Sequence, residues 1–305
     1  MEFRYNTFSL LKKYFENINE RLTIRDKRYK KKEILGKIFC EVLNTPSCKC
    51  NSDAKTEIHS LTAHHHLFMY ITAIKSLLRY YDNIALVVHD DGSLTYQDSL
   101  LLKKHIAGIR IENRKEADIK MEKMLNGFPS SRKYRRNIIN SMELFDNILL
   151  SGSDKIITMN SDVLFLSEPH ELINWICNGT GELMSVYEEQ PKNQKEFLAE
   201  HACTFPPHVT ICLTCLYKSV FNFDVVENAL ADSNPDWFTG QNMYPLLFSY
   251  KLTEYPLSFF NKKTYQASGV FSEGATFRHY WTSTGSFISV QTIDSSRMIS
   301  EFGRI

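Results

Sequence analysis

Asp154-Lys-Ile-Ile-Thr-Met-Asn160-Ser161-Asp162-Val-Leu-Phe-Leu166 decides how the chain is read. An apolar run (Ile156, Ile157, Met159) ends in the polar triplet Asn160-Ser161-Asp162, and a second apolar run resumes at Val163. This is the pattern of a buried strand that carries a carboxylate at its C-terminal end. Open α/β sheets bind ligands outside the carboxyl ends of their strands, so the triplet is placed for a nucleotide or a metal.

Working outward, the same alternation recurs. Glu57–Thr62 reads as a first strand and Leu67–Tyr81 as a helix with apolar residues at helical spacing (Leu67, Tyr70, Ile71, Ile74, Leu77, Leu78). Asn83–His89 is almost all apolar in its middle, as a strand covered on both faces should be. Leu94–His105 follows as a helix, Gly108–Glu112 as a strand, and helical stretches run on to Leu150. Strand–helix alternation of this kind implies a mostly parallel sheet flanked by helices, with right-handed crossovers. Residues 180–290 are irregular and rich in aromatics. The chain divides into an N-terminal helical, basic extension, residues 1–52, and one α/β domain, residues 53–305.

Bulk composition agrees with one large globular unit. The chain has 305 residues, 43% hydrophobic and 23% charged, and 36 Lys+Arg against 35 Asp+Glu leave almost no net charge. A general nucleic-acid partner is therefore not expected. No run of about 18 apolar residues is present to span a bilayer, and the first residues lack the order of a secretory signal. Seven cysteines, an odd number with no disulfide-scaffold spacing, suit reduced thiols and a cytoplasmic setting. The stretch 21–37 is strongly basic. It reads either as a solvated helix face or as a peripheral contact with the anionic inner face of a membrane.

His89-Asp90-Asp91-Gly92-Ser93-Leu94-Thr95 stands where a strand turns into a helix. Asp90 or Asp91 could accept the imide N–H of uracil, with Gly92 allowing a tight turn beside the ligand. Asp, Gly and Ser are equally what any such turn favours, with Ser93 as N-cap. His64-His65-His66 follow the first strand; consecutive residues point in different directions, so one of them near a ligand is reasonable but a three-His metal face is not.

The segments Ile58-His-Ser-Leu-Thr62, Val88-His-Asp-Asp-Gly-Ser-Leu-Thr95, Arg114-Lys-Glu-Ala-Asp118, Glu143-Leu-Phe-Asp146 and Ile156-Ile-Thr-Met-Asn-Ser-Asp-Val-Leu-Phe165 occur in this order. Together they resemble bacterial nucleotide-sugar glycosyltransferases of the GT-A fold, a Rossmann-like α/β architecture, over roughly residues 57–175. Phe277-Arg-His-Tyr280 fits the same pattern further on. The resemblance implies transfer of a sugar from a UDP-linked donor to a glycan, lipid-linked or protein acceptor. It implies Mn²⁺ or Mg²⁺ between the two phosphates, where the ion neutralises charge developing on the leaving diphosphate. Asp162 matches the main metal ligand, Asn160 the ribose or metal contact, and His279 the late histidine that completes the metal shell. Thr62, Asp90, Asp91, Asp118, Arg136 and Ser161 fall in the donor-binding set, Arg136 in preference to Arg135 as the diphosphate partner.

Four positions depart from the pattern. Asn160 replaces the first carboxylate of the Asp-x-Asp signature, and Glu143 stands where Lys is usual. Cys215 occupies the place of a Gly in a turn that lines the donor sugar, and Thr239-Gly240-Gln241 replaces Glu-Gln. Two readings follow: an active transferase with a reworked site, or a degenerate copy that acts as a binding or scaffold partner.

Overall fold

The computed structural model describes residues 24–186, 192–201, 203, 209–231, 234–251, 257–267, 271–280 and 288–303. The start of the extension, including Arg21–Thr23 of the basic stretch, lies outside the described residues.

In chain order the elements are α1 (Ile24–Cys40), β1 (Cys48–Lys49), β2 (Thr56–Thr62), α2 (Leu67–Leu78), β3 (Ala85–Asp90), α3 (Tyr96–His105), β4 (Ile106–Ala107) and β5 (Arg110–Glu112). Then come α4 (Arg114–Met124), α5 (Pro129–Asn137), α6 (Ser141–Leu149), β6 (Lys155–Met159), β7 (Val163–Phe165), α7 (His170–Asn178), β8 (Leu183–Val186) and α8 (Lys192–Glu200). The chain closes with β9 (Val209–Tyr217), α9 (Phe223–Ala231), α10 (Thr239–Lys251), β10 (Ser258–Phe259), β11 (Tyr265–Gln266), β12 (Phe277–His279) and α11 (Ile288–Phe302).

A seven-stranded sheet in the order β10-β8-β9-β6-β2-β3-β5 forms the frame. Strands β6, β2, β3 and β5 run parallel, and β9 is antiparallel to both β6 and β8. A small sheet, β11-β12-β7, sits beside it, and its β12 pairs antiparallel with β7. The mostly parallel α/β sheet read from the sequence is what folds. The helix after β3 begins later than the sequence suggests. Its N-cap is Thr95, not Ser93: Thr95 and Asp98 form a reciprocal capping box, which satisfies donors at both ends of the turn.

Alternation along the strands sorts the core into two layers. Ile58, Leu86, Val88 and Ile157 pack with α2 in one. Ile156, Leu216, Phe145, Met243 and Tyr244 pack with the helices of the other face. Burying one such Ile or Leu contributes about 1.5–3 kcal/mol. Helix α2 is buried almost all round because it lies between the large sheet and β7. Its one cation, Lys75, is buried too, and donates to Thr45 Oγ1 at 2.7 Å and to the Pro46 carbonyl at 2.6 Å.

The second layer is not wholly apolar. Glu57 and His59 alternate with Ile58 and so face it, where His59 Nδ1 lies 2.8 Å from His89 Nε2 and His59 Nε2 lies 3.0 Å from Glu57 Oε2. Arg135 and Asp146 form a paired, fully buried contact nearby, through two hydrogen bonds. Helix α1 packs on α11 and α2, so this part of the extension lies against the domain. Among the described residues no helix is long and apolar enough to cross a membrane.

Candidate functional site

A cleft of about 690 Å³ opens at the C-terminal edge of the parallel strands. Across the sheet its floor is laid down in the order Thr210 and Ile211 at the start of β9, Asn160-Ser161-Asp162 after β6, Leu61 and Ala63 around the end of β2, and Asp91 after β3. Because β9 is antiparallel, its N-terminal end reaches this edge. That corrects the reading of Cys215: it pairs in register with Ile157 and Leu183, is fully buried in the core, and does not line the cleft.

Local pairing explains how the triplet is presented. The Asn160 amide donates to the Cys212 carbonyl at 3.0 Å, which ends β6 against β9. The Asp162 carbonyl accepts from Tyr280 N–H at 3.0 Å, and His279 stands opposite Val163 in the β12–β7 ladder. That ladder carries His279, 119 positions from Asn160, into the cleft.

There His279 Nε2 lies 3.2 Å from Asp162 Oδ1 and 3.4 Å from the Asn160 amide. Its Nδ1 is 3.1 Å from the Ala267 carbonyl, which can only accept, so Nδ1 carries a proton and Nε2 is turned to the carboxylate. Burial alone would lower the imidazole's affinity for a second proton. The Asp162 carboxylate and the Cys212 thiol outweigh it and raise the value to about 10. Glu143, in the cleft wall, is pushed up to about 7 by burial and then by the charge of Asp162.

Among the described residues no three His, Cys, Asp or Glu side chains converge on one point. The protein's share of any divalent ion here would be one carboxylate, one imidazole and the Asn160 amide oxygen, which a half-turn of the side chain would bring round. Asp162 Oδ1 and His279 Nε2, 3.2 Å apart, would hold the ion once Nε2 gives up the proton that it shares with the carboxylate. Ions of this class are commonly held by one or two carboxylates and complete their shell with substrate phosphates and water. The residues fit such a partial shell.

The other sequence-derived candidates are distributed unevenly. Asp91 lines the cleft, and its carboxylate accepts from Ser93 N–H at 2.9 Å and Ser93 Oγ at 2.6 Å. Asp90 does not line it. Its Oδ1 accepts from Gly92 and Leu94 N–H at 2.8 and 3.0 Å, and so shapes a turn in which Gly92 adopts φ +102°, a value other residues rarely take. Thr62 is buried one residue below the cleft, between Leu61 and Ala63, and its hydroxyl has no hydrogen-bond partner among the described residues. His65 and His66 line the cleft, whereas His64 turns away to Asp98 at 2.7 Å.

Asp118 and Arg136 are not brought to the cleft. Asp118 pairs with Arg114 at 2.7 Å and Arg135 at 3.1 Å, and Arg136 pairs with Glu122 on the surface. Neither Arg135 nor Arg136 lines the cleft, so its geometry gives no ground for choosing between them as a diphosphate partner. Arg135 is itself bound into Asp146.

Sequence reasoning missed two walls of the cleft. One is α1, which contributes Lys32, Leu35, Gly36 and Phe39; the other is the turn entering α10, which contributes Trp237 and Phe238 beside Gln241, a position that the sequence had singled out. Nothing local in the basic run of α1 signals a cleft wall. An aromatic pair just ahead of a Thr at a helix start was a weak signal for the second.

No protein-family model matches this sequence, and no curated protein does. Solved structures do match in shape. Mouse xyloside xylosyltransferase 1 aligns with a TM-score of 0.51 at 13% identity, covering 76% of this chain and 98% of that one. Galactosyltransferase LgtC, solved with donor and acceptor sugar analogs, gives 0.52 at 11% identity over 79% and 95%. The bifunctional glycosyltransferase WbbM gives 0.53 at 11% over 80% of this chain and 50% of its own. Identities this low establish a shared architecture and no more: the chain has the GT-A fold of these glycosyltransferases.

Proposed function

We propose that this chain is a glycosyltransferase that binds a UDP-linked sugar in the cleft and transfers the sugar to a glycan acceptor, lipid-linked or on protein. The observation that carries the reading is the meeting of Asp162 Oδ1 and His279 Nε2, 3.2 Å apart, beside Asn160 in a cleft at the switch edge of a GT-A sheet. Asp162 and His279, with the Asn160 amide, would hold Mn²⁺ or Mg²⁺. Such an ion supplies neutralisation of the diphosphate that departs when the anomeric bond breaks. Asp91 would read the base, and Ser161 and Asn160 would meet the ribose; all three line the cleft. The basic stretch 21–37 supports a cytoplasmic enzyme held at the inner face of the membrane, where a lipid-linked acceptor would be met.

The test is calorimetric titration of UDP and GDP into the protein with and without Mn²⁺. UDP-selective binding that needs the metal, followed by release of UDP from a UDP-sugar, is the expected result. Failure of both nucleotides to bind would overturn it in favour of a non-catalytic binding or scaffold partner, the reading that Asn160 in place of a carboxylate favours.

A further inference from the structure

Of the large apolar side chains that the described residues leave exposed, Trp237 (55%) and Phe238 (44%) are the two that line the cleft. Exposure of two adjacent aromatic rings is costly in water and is the usual mark of a binding surface.

The turn that carries them is locked. Asp236 Oδ1 accepts from Phe238 N–H at 2.9 Å, Thr239 N–H at 3.0 Å and Thr239 Oγ1 at 2.9 Å. Tyr134, buried on α5, donates to the Asp236 carbonyl at 3.3 Å and accepts from Gly240 N–H at 2.7 Å. The backbone is therefore pinned from both sides of the aromatic pair, and the rings are displayed without a loop that must first order. A surface prepared in this way loses little conformational entropy when it binds.

Position decides what the rings would meet. Helix α10 packs on β9 and α6, so its first turn lies on the β9 flank of the cleft. Asp91 follows β3, three strand spacings away, or about 14 Å at about 4.8 Å per strand. The Asn160–Asp162 turn stands between these two ends. A nucleotide read by Asp91, with its diphosphate at Asp162, leaves the β9 flank for the other substrate. The C–H face of a pyranose is apolar and slightly positive, and so complements the negative face of an aromatic ring. Gln241 and Asn140, which line the cleft beside the pair, carry amides of the kind that sugar hydroxyls bond.

We propose that Trp237 and Phe238 are the acceptor subsite, stacking on the pyranose ring of the glycan that receives the sugar. This rests on the glycosyltransferase reading above. The experiment is saturation-transfer NMR with methyl β-galactopyranoside, methyl β-glucopyranoside, methyl β-xylopyranoside and lactose, with UDP and Mn²⁺ titrated separately. Wild type is compared with Trp237→Ala, Phe238→Ala and Trp237→Phe.

At least one glycoside should receive saturation at its ring C–H protons. Its affinity should fall about tenfold in Trp237→Ala, the scale of one lost stacking contact, and be largely retained in Trp237→Phe, with UDP affinity within twofold of wild type. No transfer to any glycoside would overturn the proposal, as would transfer unaffected by Trp237→Ala. A parallel loss of UDP would overturn it too, since the ring would then be stacking on the base. If UDP fails to bind wild type while the glycoside result holds, the donor reading fails and the sugar subsite stands.

Discussion

Asp162 Oδ1 and His279 Nε2 stand 3.2 Å apart, one in the turn after β6 and the other at the end of β12. The Ala267 carbonyl fixes which imidazole nitrogen faces the carboxylate. Asp162→Ala should therefore abolish Mn²⁺-dependent UDP binding and lower the thermal midpoint at neutral pH without unfolding the protein, because the buried imidazole loses the carboxylate that favours its charged form and goes neutral. Calorimetry at fixed Mn²⁺ reads this. UDP affinity unchanged in the variant would remove Asp162 from the metal shell.

Asn160→Asp adds a second carboxylate beside the first. An added unit charge about 4 Å from a cation is worth on the order of 1–4 kcal/mol at solvent-exposed to surface-like dielectric. Mn²⁺ affinity, followed by the free-ion electron-spin signal, should rise about tenfold or more. No rise would mean that the amide lies outside the ion's reach.

The two aspartates after β3 should separate. Asp91→Asn is expected to weaken UDP more than GDP, because Asp91 is the one facing the cleft. Asp90→Ala strips the acceptor from Gly92 and Leu94 N–H, and should cost about 1–3 kcal/mol of stability. Urea unfolding and nucleotide titration on the same two variants decide this. Equal losses of UDP and GDP in Asp91→Asn would rule out base reading.

Stability should fall as the solution is acidified below about pH 6.5. Glu57 accepts from His59 Nε2–H, which leaves His59 Nδ1 to accept from His89 Nε2–H. Burial lowers both imidazoles; His89 is lowered further by His59, Arg110 and Arg135, while Glu57 and Glu112 act in the opposite sense. Folded values lie below the ordinary value near 6.5, so the stabilisation is complete above that pH and is lost as pH falls, when the unfolded chain takes up more protons. The slope approaches about 1.4 kcal/mol per pH unit for each imidazole, and Glu143, raised to about 7 in the fold, offsets about one imidazole's share between pH 7 and its ordinary value. Glu57, whose folded value is also depressed, adds to the loss below its own ordinary range. Urea midpoints at pH 7, 6 and 5 should show a net fall on acidification, His89→Gln should flatten it, and Glu143→Gln should steepen it. A flat profile in wild type would contradict the assignment.

Arg135 and Asp146 are 4% and 0% exposed at their side chains and share two hydrogen bonds. Asp146→Ala leaves a buried guanidinium with little compensation and should cost about 3–5 kcal/mol. Asp118→Ala, which removes a half-exposed partner of the same Arg135, should cost less than about 1 kcal/mol. Comparable losses in the two would mean that Asp118 bears more of the guanidinium's charge than burial indicates.

The parallel strands were legible because each is a short apolar run closed by polar residues, and β2, β3 and β6 fall within about two residues of where their patterns place them. The triplet Asn160-Ser161-Asp162 was legible for the same reason: a period-two run must end, and its end lies at the sheet's carboxyl edge. Asp90 was not separable from Asp91, since which of two adjacent carboxylates turns inward depends on the hydrogen bonds of the loop. The choice of Arg136 over Arg135 as a diphosphate partner could not be made from the sequence either, because a helix face cannot be assigned before its neighbours are known, and neither side chain lines the cleft.

By itself, then, the sequence determined the layered α/β order and the carboxylate at the end of β6, since both follow from local periodicity and from where a buried strand must stop. The resemblance named His279 as its companion, and only the tertiary structure decided how that residue and the rest of the cleft are brought to the carboxylate. His279 arrives through the β12–β7 ladder, Thr210 through an antiparallel β9, and Lys32 and Trp237 from helices packed on opposite flanks. Strand pairing and helix docking at long sequence separation are settled by the whole core at once, and no local run of residues encodes them.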